Sequence, residues 1–265
     1  MPKKPTAEQV WQMVLQGKLP GLSRVRKIYR VLPAEERCKN CHAPLNGLGG
    51  KLMHLFGRHP YHKNPRFCNW CMWLCRQYPG GTEIELTLFF ADVRGSTNLA
   101  EGLSACDFSS LMNRFYTVAT DVLIQTDAFI DKLVGDEVMG LYLPGYAGKD
   151  HAKKAVMAAQ GLLHAVGYGS AQGPWLPIGI GVHTGVAYVG TVQGARGTVT
   201  DFTALGDNVN IAARLVSQAK AGEAVISETT YVASGMLLGQ AEQRHFELKG
   251  KSQPFKANVL RLAST

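Results

Sequence analysis

Over residues 82–265 the apolar positions repeat with two periods that alternate in blocks. Ile84, Leu86, Leu88 and Phe90 alternate with Glu83, Glu85, Thr87 and Phe89, the period of two that marks a strand. Ser104 followed by Asp107 has the form of a helix start, and the helix behind it is predicted to run to about Gln125. Ala128–Val134 and Glu137–Leu143 predict two strands joined across Gly135-Asp136, a hairpin signal. Asp150 is expected to cap an Ala-rich helix that reaches about Val166. Pro177–His183 and Val186–Val192 predict a second strand pair around Thr184-Gly185. Asp207 is expected to cap a helix that stops before Gly222, and three short strands (Ala224–Ser227, His245–Leu248, Lys256–Leu260) follow. The order β-α-β-β-α-β with further αβ material predicts an α+β sandwich, helices packed on a mainly antiparallel sheet.

Residues 1–81 have a different texture. Thr6-Ala-Glu-Gln9 has the form of a capping box, and Val10, Trp11, Met13, Val14 and Leu15 give the helix behind it an apolar face before Gly17 and Pro20. A second short helix is expected around Ser23–Leu32. The stretch that follows is dense in Gly, Pro, His and Asn, which predicts loops held by a staple. Pro79-Gly80-Gly81 is the expected linker between a 1–81 module and an 82–265 domain.

Charge and cysteine sharpen that division. The chain carries 28 Lys/Arg against 20 Asp/Glu, of which 14 and 3 fall in residues 1–81. Such a basic segment suits nucleic acid, anionic lipid or an acidic partner. No aromatic-basic recognition pattern accompanies it, so a nucleic-acid partner is not expected. No apolar run approaches the ~20 residues of a membrane span, and no apolar core of a secretory signal follows Met1, so a cytoplasmic protein without a membrane span is expected. Five of the six cysteines precede residue 81. Cys38-Lys-Asn-Cys41 and Cys68-Asn-Trp-Cys71 are two CxxC knuckles with the spacing of a four-cysteine zinc site. Cys75 extends the second knuckle to a pattern that also permits an iron–sulfur cluster, and metal-free thiols are the third alternative. His42, His54, His59 and His62 offer further ligands. A segment this short and polar needs a metal to supply its stability.

Three segments carry chemistry. In Phe90-Ala-Asp92-Val-Arg-Gly95-Ser96-Thr97 an aspartate at a strand end is followed by Gly and small hydroxyl residues opening a helix, whose free N–H groups favour phosphate. Lys132-Leu-Val-Gly135-Asp136 holds a second carboxylate in the hairpin turn. Two carboxylates near one triphosphate are what a two-metal centre needs, although an Asp in a tight turn is more often only a turn residue. In Thr203-Ala-Leu-Gly206-Asp-Asn-Val-Asn210-Ile-Ala-Ala-Arg214, Asn210 and Arg214 stand four apart on one helix face, which suits stabilising charge on a transferring phosphoryl group.

The segments FADVRGST, DKLVGDEVMG, IGIGVHTGVAYVG and LGDNVNIAARL, in this order, resemble the catalytic domain of class III adenylyl and guanylyl cyclases over essentially all of 82–265. The resemblance implies the ferredoxin-like cyclase sandwich, with Asp92 and Asp136 as ligands of two Mg²⁺ or Mn²⁺ ions. It implies that Lys132 and Thr203 read the purine, that Asn210 and Arg214 stabilise the transition state, and that Lys249 or Lys251 contacts phosphate. Gly95, Ser96 and Thr97 would form the phosphate loop. Ser96 stands where the family usually has Phe, and Thr203 where many adenylyl cyclases have Asp. The Lys/Thr pair is similar to one subgroup of adenylyl cyclases. Lys132 can donate to N1 of adenine and the Thr203 hydroxyl can accept from its exocyclic amine, a match that guanine would lose. Because one chain retains every one of these residues, the resemblance also implies a head-to-tail homodimer with two equivalent sites acting on ATP. The alternatives are a guanylyl or dual-purine cyclase, or a metal- or redox-sensing module on a silent cyclase fold. His183 is expected to be packed and hydrogen-bonded, Cys106 a free thiol, and Met139 core.

Overall fold

The computed structural model describes residues 5–194, 200–236, 241–247 and 254–263. In chain order the elements are α1 (Ala7–Leu15), α2 (Leu22–Arg30), α3 (Gly47–Leu55), β1 (Pro60–Tyr61), β2 (Asn64–Cys68) and α4 (Asn69–Gln77), then β3 (Gly80–Val93), α5 (Ser96–Gly102), α6 (Ala105–Gln125), β4 (Phe129–Val134) and β5 (Glu137–Tyr142). They continue with α7 (Pro144–Ala147), α8 (His151–Ala165), β6 (Ile178–Gln193), β7 (Thr200–Leu205), α9 (Asp207–Gln218), β8 (Ala224–Ser227), α10 (Glu228–Ser234), β9 (Glu242–Phe246) and β10 (Phe255–Leu260). Among the described residues no helix is long and apolar enough to cross a membrane.

Contacts divide the chain into two compact units. The first comprises Met1–Ile84, Leu143–Gly148 and Tyr188–Ala204, and the second comprises Glu85–Tyr142, Lys149–Ala187 and Leu205–Thr265.

In the first unit the capping box forms as the sequence predicts: Thr6 Oγ1 accepts from the Gln9 N–H at 3.2 Å, and Gln9 Oε1 accepts from the Thr6 N–H at 3.0 Å. Trp11 and Leu15 are the buried positions of that helix. The stretch expected to be loops instead holds two helices, α3 and α4, and the short β1–β2 hairpin. Gly80 and Gly81, expected as a linker, are the first residues of β3.

The second unit supplies the sandwich. Its strands run in the order β4-β5-β3-β6-β8-β10-β9. The first six elements, β3-α6-β4-β5-α8-β6 with the small α5 inserted, thus give the split βαβ arrangement of a ferredoxin-like fold. β3–β5, β4–β5, β8–β10 and β9–β10 are antiparallel and β6–β8 is parallel, as expected of a mainly antiparallel sheet. Leu86, Leu88, Phe89, Phe90 and Ala91 of β3 are all buried, the mark of a central strand covered on both faces. On α6, Met112, Phe115, Ala119 and Leu123 form a buried stripe at helical spacing that packs on β4, β5 and α8. Ser104 caps α6 through the Asp107 N–H at 3.1 Å. Asp150 sits at the N-cap of α8 but makes no side-chain capping bond there, and the N-cap of α9 is Gly206 rather than Asp207.

The expected strand pair around Thr184-Gly185 is instead one continuous strand, β6. Gly185 serves an approach and not a turn: a Cβ there would lie 2.6 Å from Asn208 Cγ. Thr184 is tied into a buried hydroxyl network, 2.8 Å from Thr87 Oγ1 and 3.0 Å from Thr230 Oγ1. Both constraints hold the backbone extended where a turn was anticipated.

Candidate active site

β3 delivers Asp92 to its last turn of pleat, and Gly95, in the left-handed region at φ 71°, redirects the chain into α5. Gly135, at φ 63°, closes the β4–β5 hairpin beside Asp136. Both turns use a backbone conformation that a side chain strains. β3 pairs with β5 in the register Asp92↔Glu137, so the hairpin turn falls beside the end of β3. The Val93 N–H donates to the Asp136 carbonyl at 3.1 Å, which fixes the two aspartates against each other.

Burial pushes the Asp92 carboxyl up to about 6; the charge of Asp136 and a hydrogen bond to it add to the rise, and Arg94 opposes it. Arg94 forms an ion pair with Asp92 Oδ2, while Asp92 Oδ1 is buried with no hydrogen-bond partner among the described residues. Burial also raises Glu137, helped by Asp92 and then Asp136 and opposed by Arg94. The Tyr116 hydroxyl donates to the Gly135 carbonyl and holds the turn. Three carboxyl groups around one guanidinium leave excess negative charge. An orphaned carboxylate oxygen and a raised proton affinity are what such a group shows when its cation is missing from the balance. The donors are all oxygen, which suits a hard divalent ion such as Mg²⁺ or Mn²⁺.

Arg94, Glu137 and Tyr116 were not singled out in the sequence. Arg94 stands two positions after Asp92, and cross-strand pairing puts Glu137 opposite it; only the hairpin register, once known, would have drawn it in.

The other candidates occupy separate positions. Gly95 and Thr97 are exposed and Ser96 is half-buried at the start of α5. Lys132 is half-buried on β4, and Thr203 is buried on β7. Asn210 is exposed and Arg214 half-buried, one turn apart on α9. Among the described residues no hydrogen bond or ion pair joins Asn210 or Arg214 to Asp92 or Asp136. Lys249 and Lys251 lie outside the described residues. His183 is buried, with Nε2 2.8 Å from Asn208 Oδ1, and Met139 is core; Cys106 is an exposed free thiol.

The first unit carries a second constellation. Cys38, Cys41, Cys68 and Cys71 are buried, and their sulfurs all lie within 4.8 Å of one another. Cys38 and Cys71 Sγ are 3.8 Å apart, and Cys41 and Cys68 Sγ 3.7 Å apart. A disulfide needs ~2.05 Å, so these are paired thiols and not crosslinks. The first knuckle turns at His42, whose φ of 64° is left-handed, and the His42 N–H donates to the Cys38 carbonyl at 2.9 Å. Cys68 is the N-cap of α4, and its N–H donates to Cys38 Sγ at 3.3 Å. Arg58 Nη1 lies 3.8 Å from Cys41 Sγ as a donor, and its guanidinium stands 4.6 Å from the Trp70 ring centre. The four-cysteine cluster could hold a metal. Cys75 is not a member of it, and burial pushes its thiol up to about 12. His42, His54, His59 and His62 are likewise outside the cluster, which is all sulfur.

With both sites described, comparison with known proteins decides the family. The model of the adenylate and guanylate cyclase catalytic domain matches residues 81–260. The chain belongs to the class III nucleotidyl cyclase family. An adenylate cyclase of Anabaena cylindrica is 30% identical over 136 residues, 49% of this chain and 26% of that protein. An adenylate cyclase of Rhizobium meliloti is 30% identical over 165 residues, 60% of this chain and 24% of that protein. The chain therefore spans about a quarter of the length of these curated relatives. The crystal structure of an adenylyl cyclase from P. aeruginosa superposes with a TM-score of 0.58 at 31% identity, covering 69% of this chain and 97% of that one. A guanylyl cyclase crystal structure superposes with a TM-score of 0.59 at 26% identity, covering 69% and 95%. The cyclase fold and the four ordered motifs thus coincide in one stretch of chain.

Proposed function

We propose that this cyclase is an adenylyl cyclase, forming 3′,5′-cyclic AMP and pyrophosphate from ATP for intracellular signalling. It would act in the cytoplasm as a head-to-tail homodimer with two Mg²⁺ or Mn²⁺ ions in each of two equivalent sites. The observation that carries the proposal is the contact of Asp92 with Asp136 at the sheet end, where burial first and then like charge raise the Asp92 carboxyl to about 6. Asp92 and Asp136 would hold the ions. When bound, the ions would ease loss of the ribose 3′-hydroxyl proton and neutralise the departing pyrophosphate. Gly95, Ser96 and Thr97 would present backbone N–H groups to the triphosphate. The 3′-oxygen then bonds to the α-phosphorus, the bond from that phosphorus to the β-bridging oxygen breaks, and the hydroxyl proton passes to solvent. Asn210 and Arg214 of the second protomer would stabilise the charge that builds on the α-phosphate, a contribution made by position. That one chain carries both the aspartates and the Asn210/Arg214 pair supports a shared site in a homodimer. Lys249 or Lys251 would contact phosphate. Lys132 and Thr203 would read adenine as donor and acceptor.

A guanylyl or dual-purine cyclase is the second reading, favoured by Thr203, which departs from the Asp common in adenylyl cyclases. A silent fold bearing only a sensor module fits less well, since a dead domain has no need of an unbalanced carboxylate pair.

For residues 1–81 we propose a regulatory module built on structural zinc. Zinc–thiolate bonds of ~2.3 Å in a tetrahedron place the sulfurs about 3.8 Å apart, close to the observed 3.7 and 3.8 Å. An iron–sulfur cluster inserts sulfide and several irons between the thiolates and needs them further apart.

ATP and GTP given in parallel with Mn²⁺ or Mg²⁺ test the nucleotide choice. Cyclic AMP from ATP is expected, with Lys132→Glu lowering the ATP preference at least about tenfold. No turnover of either nucleotide by a dimer that retains its metal would refute the proposal.

A further inference from the structure

An ordinary surface helix buries its apolar stripe, and α3 does the reverse. Its buried positions are Gly49, Gly50 and Met53. Leu48, Lys51, Leu52 and Leu55, spaced i, i+3, i+4 and i+7, form its exposed face. The glycines hold the helix this way round. A Cβ on Gly49 would lie 2.3 Å from the Pro33 carbonyl oxygen, and one on Gly50 would lie 2.8 Å from the Leu45 carbonyl carbon. The leucines are thus fixed outward, with Leu55 82% exposed.

α2 and its C-cap repeat the pattern. Arg24, Lys27, Ile28 and Val31 have the same spacing and are all exposed, Val31 by 84%. Arg58 joins the pieces: its guanidinium lies 5.3 Å from the Tyr29 ring centre of α2 and 4.6 Å from the Trp70 ring centre of α4. Phe56, two residues before Arg58, is exposed, as are Trp70 and Trp73 one turn apart on α4. A joined apolar surface of this kind marks a contact site, where single exposed leucines would not. Over residues 22–78, 11 of the 14 Lys/Arg of residues 1–81 stand against Glu35 and Glu36, and the next acidic residue is Glu83.

That charge selects what covers the face. A second copy would bring the same cations against these, and like charge resists the pairing. Nucleic acid would meet the cations, but its phosphates and base edges give aliphatic side chains nothing to bury against. An anionic bilayer surface engages all three kinds of side chain. Leucine, isoleucine and valine enter the acyl boundary, tryptophan sits at headgroup level, and Lys and Arg meet the lipid charge. We propose that α2, α3 and the first turn of α4 form a docking surface for an anionic lipid membrane, on which the chain lies without crossing it. This goes beyond the cyclase reading and does not depend on it.

The full chain with its metal is floated with vesicles of phosphatidylcholine alone and with vesicles containing roughly one third phosphatidylserine. Co-flotation with the mixed vesicles is expected, at least about tenfold stronger than with phosphatidylcholine and weakened by high salt. Leu55→Ser combined with Phe56→Ser should weaken it at least about tenfold, and Lys51→Gln about fivefold. Should the double variant lose its metal, Ile28→Ser tests the same surface from α2. Vesicles should shift tryptophan emission to the blue, and Trp70→Phe with Trp73→Phe should remove that shift. No flotation, equal flotation with both vesicle types, or flotation unaltered in the serine variants would overturn the proposal. A serine variant that loses self-association or RNA binding in place of flotation would give the face to a second copy or to nucleic acid, and would overturn it equally. None of these measurements uses turnover, so an inactive protein would leave their outcome standing.

Discussion

The four-cysteine cluster and the Asp92–Asp136 pair are both candidate metal sites, yet they are built in opposite ways. The cluster is closed: four sulfurs are buried, lie within 4.8 Å of one another, and are bonded from outside by backbone N–H and Arg58. The aspartate pair is half-open and unbalanced, with one carboxylate oxygen orphaned and the pair's charge only partly met by Arg94. Structural metal sites fill every coordination position from the protein, while catalytic sites leave positions for substrate and water. On the proposed function, the cluster would be a fastening and the pair a working site. The same contrast runs through the units around them. The second unit has continuous apolar stripes on α6, α8 and α9 and holds a core without help, whereas the first leans on short helices around its sulfurs.

Removing the metal should separate the two most strongly. Binding free energies of structural zinc reach ~10–16 kcal/mol in small zinc modules, so a chelator or Cys71→Ser should unfold the first unit. Amide exchange would show loss of protection in α4 and β2, with β8 and α9 still protected. Equal loss in both units would erase the distinction, and retention in both would make the cluster dispensable.

A second, smaller effect should appear at the aspartates alone. The folded value of Asp92, about 6, lies above its ordinary value of 3.8. The cation-free protein therefore has the full benefit of protonated Asp92 below pH 3.8 and loses it as pH rises through 6. Asp92→Asn should flatten that fall in denaturation midpoints measured from pH 4 to 7. Cation binding should run the other way, weakening about tenfold per pH unit below 6 as protons compete for the carboxylate. A pH-independent Mn²⁺ affinity over that range would contradict the raised value.

The smallest effect concerns the fold that carries the pair. Ser104→Ala removes the cap of α6 and should cost about 1 kcal/mol in chemical denaturation, without altering metal content of either site. A loss of several kcal/mol would mean that Ser104 does more than cap.

Much of the second unit was legible because its signals are local. Ser104 with Asp107, the turn at Gly135-Asp136 and the apolar stripe of α6 each specify an element without reference to anything distant. Thr184-Gly185 misled because a Thr-Gly pair signals a turn equally well. Its true constraint, the approach of Asn208 and the hydroxyls of Thr87 and Thr230, comes from residues far away in the chain. In the first unit the Gly-rich run Gly47–Gly50 disguised α3. A Cβ on Gly49 would lie 2.3 Å from the Pro33 carbonyl, so glycine is retained there for packing against the rules of helix propensity. Motif spacing nominated Asp92, Asp136, Asn210 and Arg214, and the fold brings the first two of them together. Arg94 and Glu137 needed the strand register.

If one chain holds both halves of a shared active site, mixing two dead variants should restore activity. Asp92→Ala and Arg214→Ala should each lack cyclase activity as homodimers. Unfolded together and refolded at equal ratio, they should form heterodimers in half of all pairs, each with one intact site of two. The mixture should then recover about a quarter of the native activity. A mixture as inactive as either variant alone, with heterodimers confirmed by mass, would contradict the shared site.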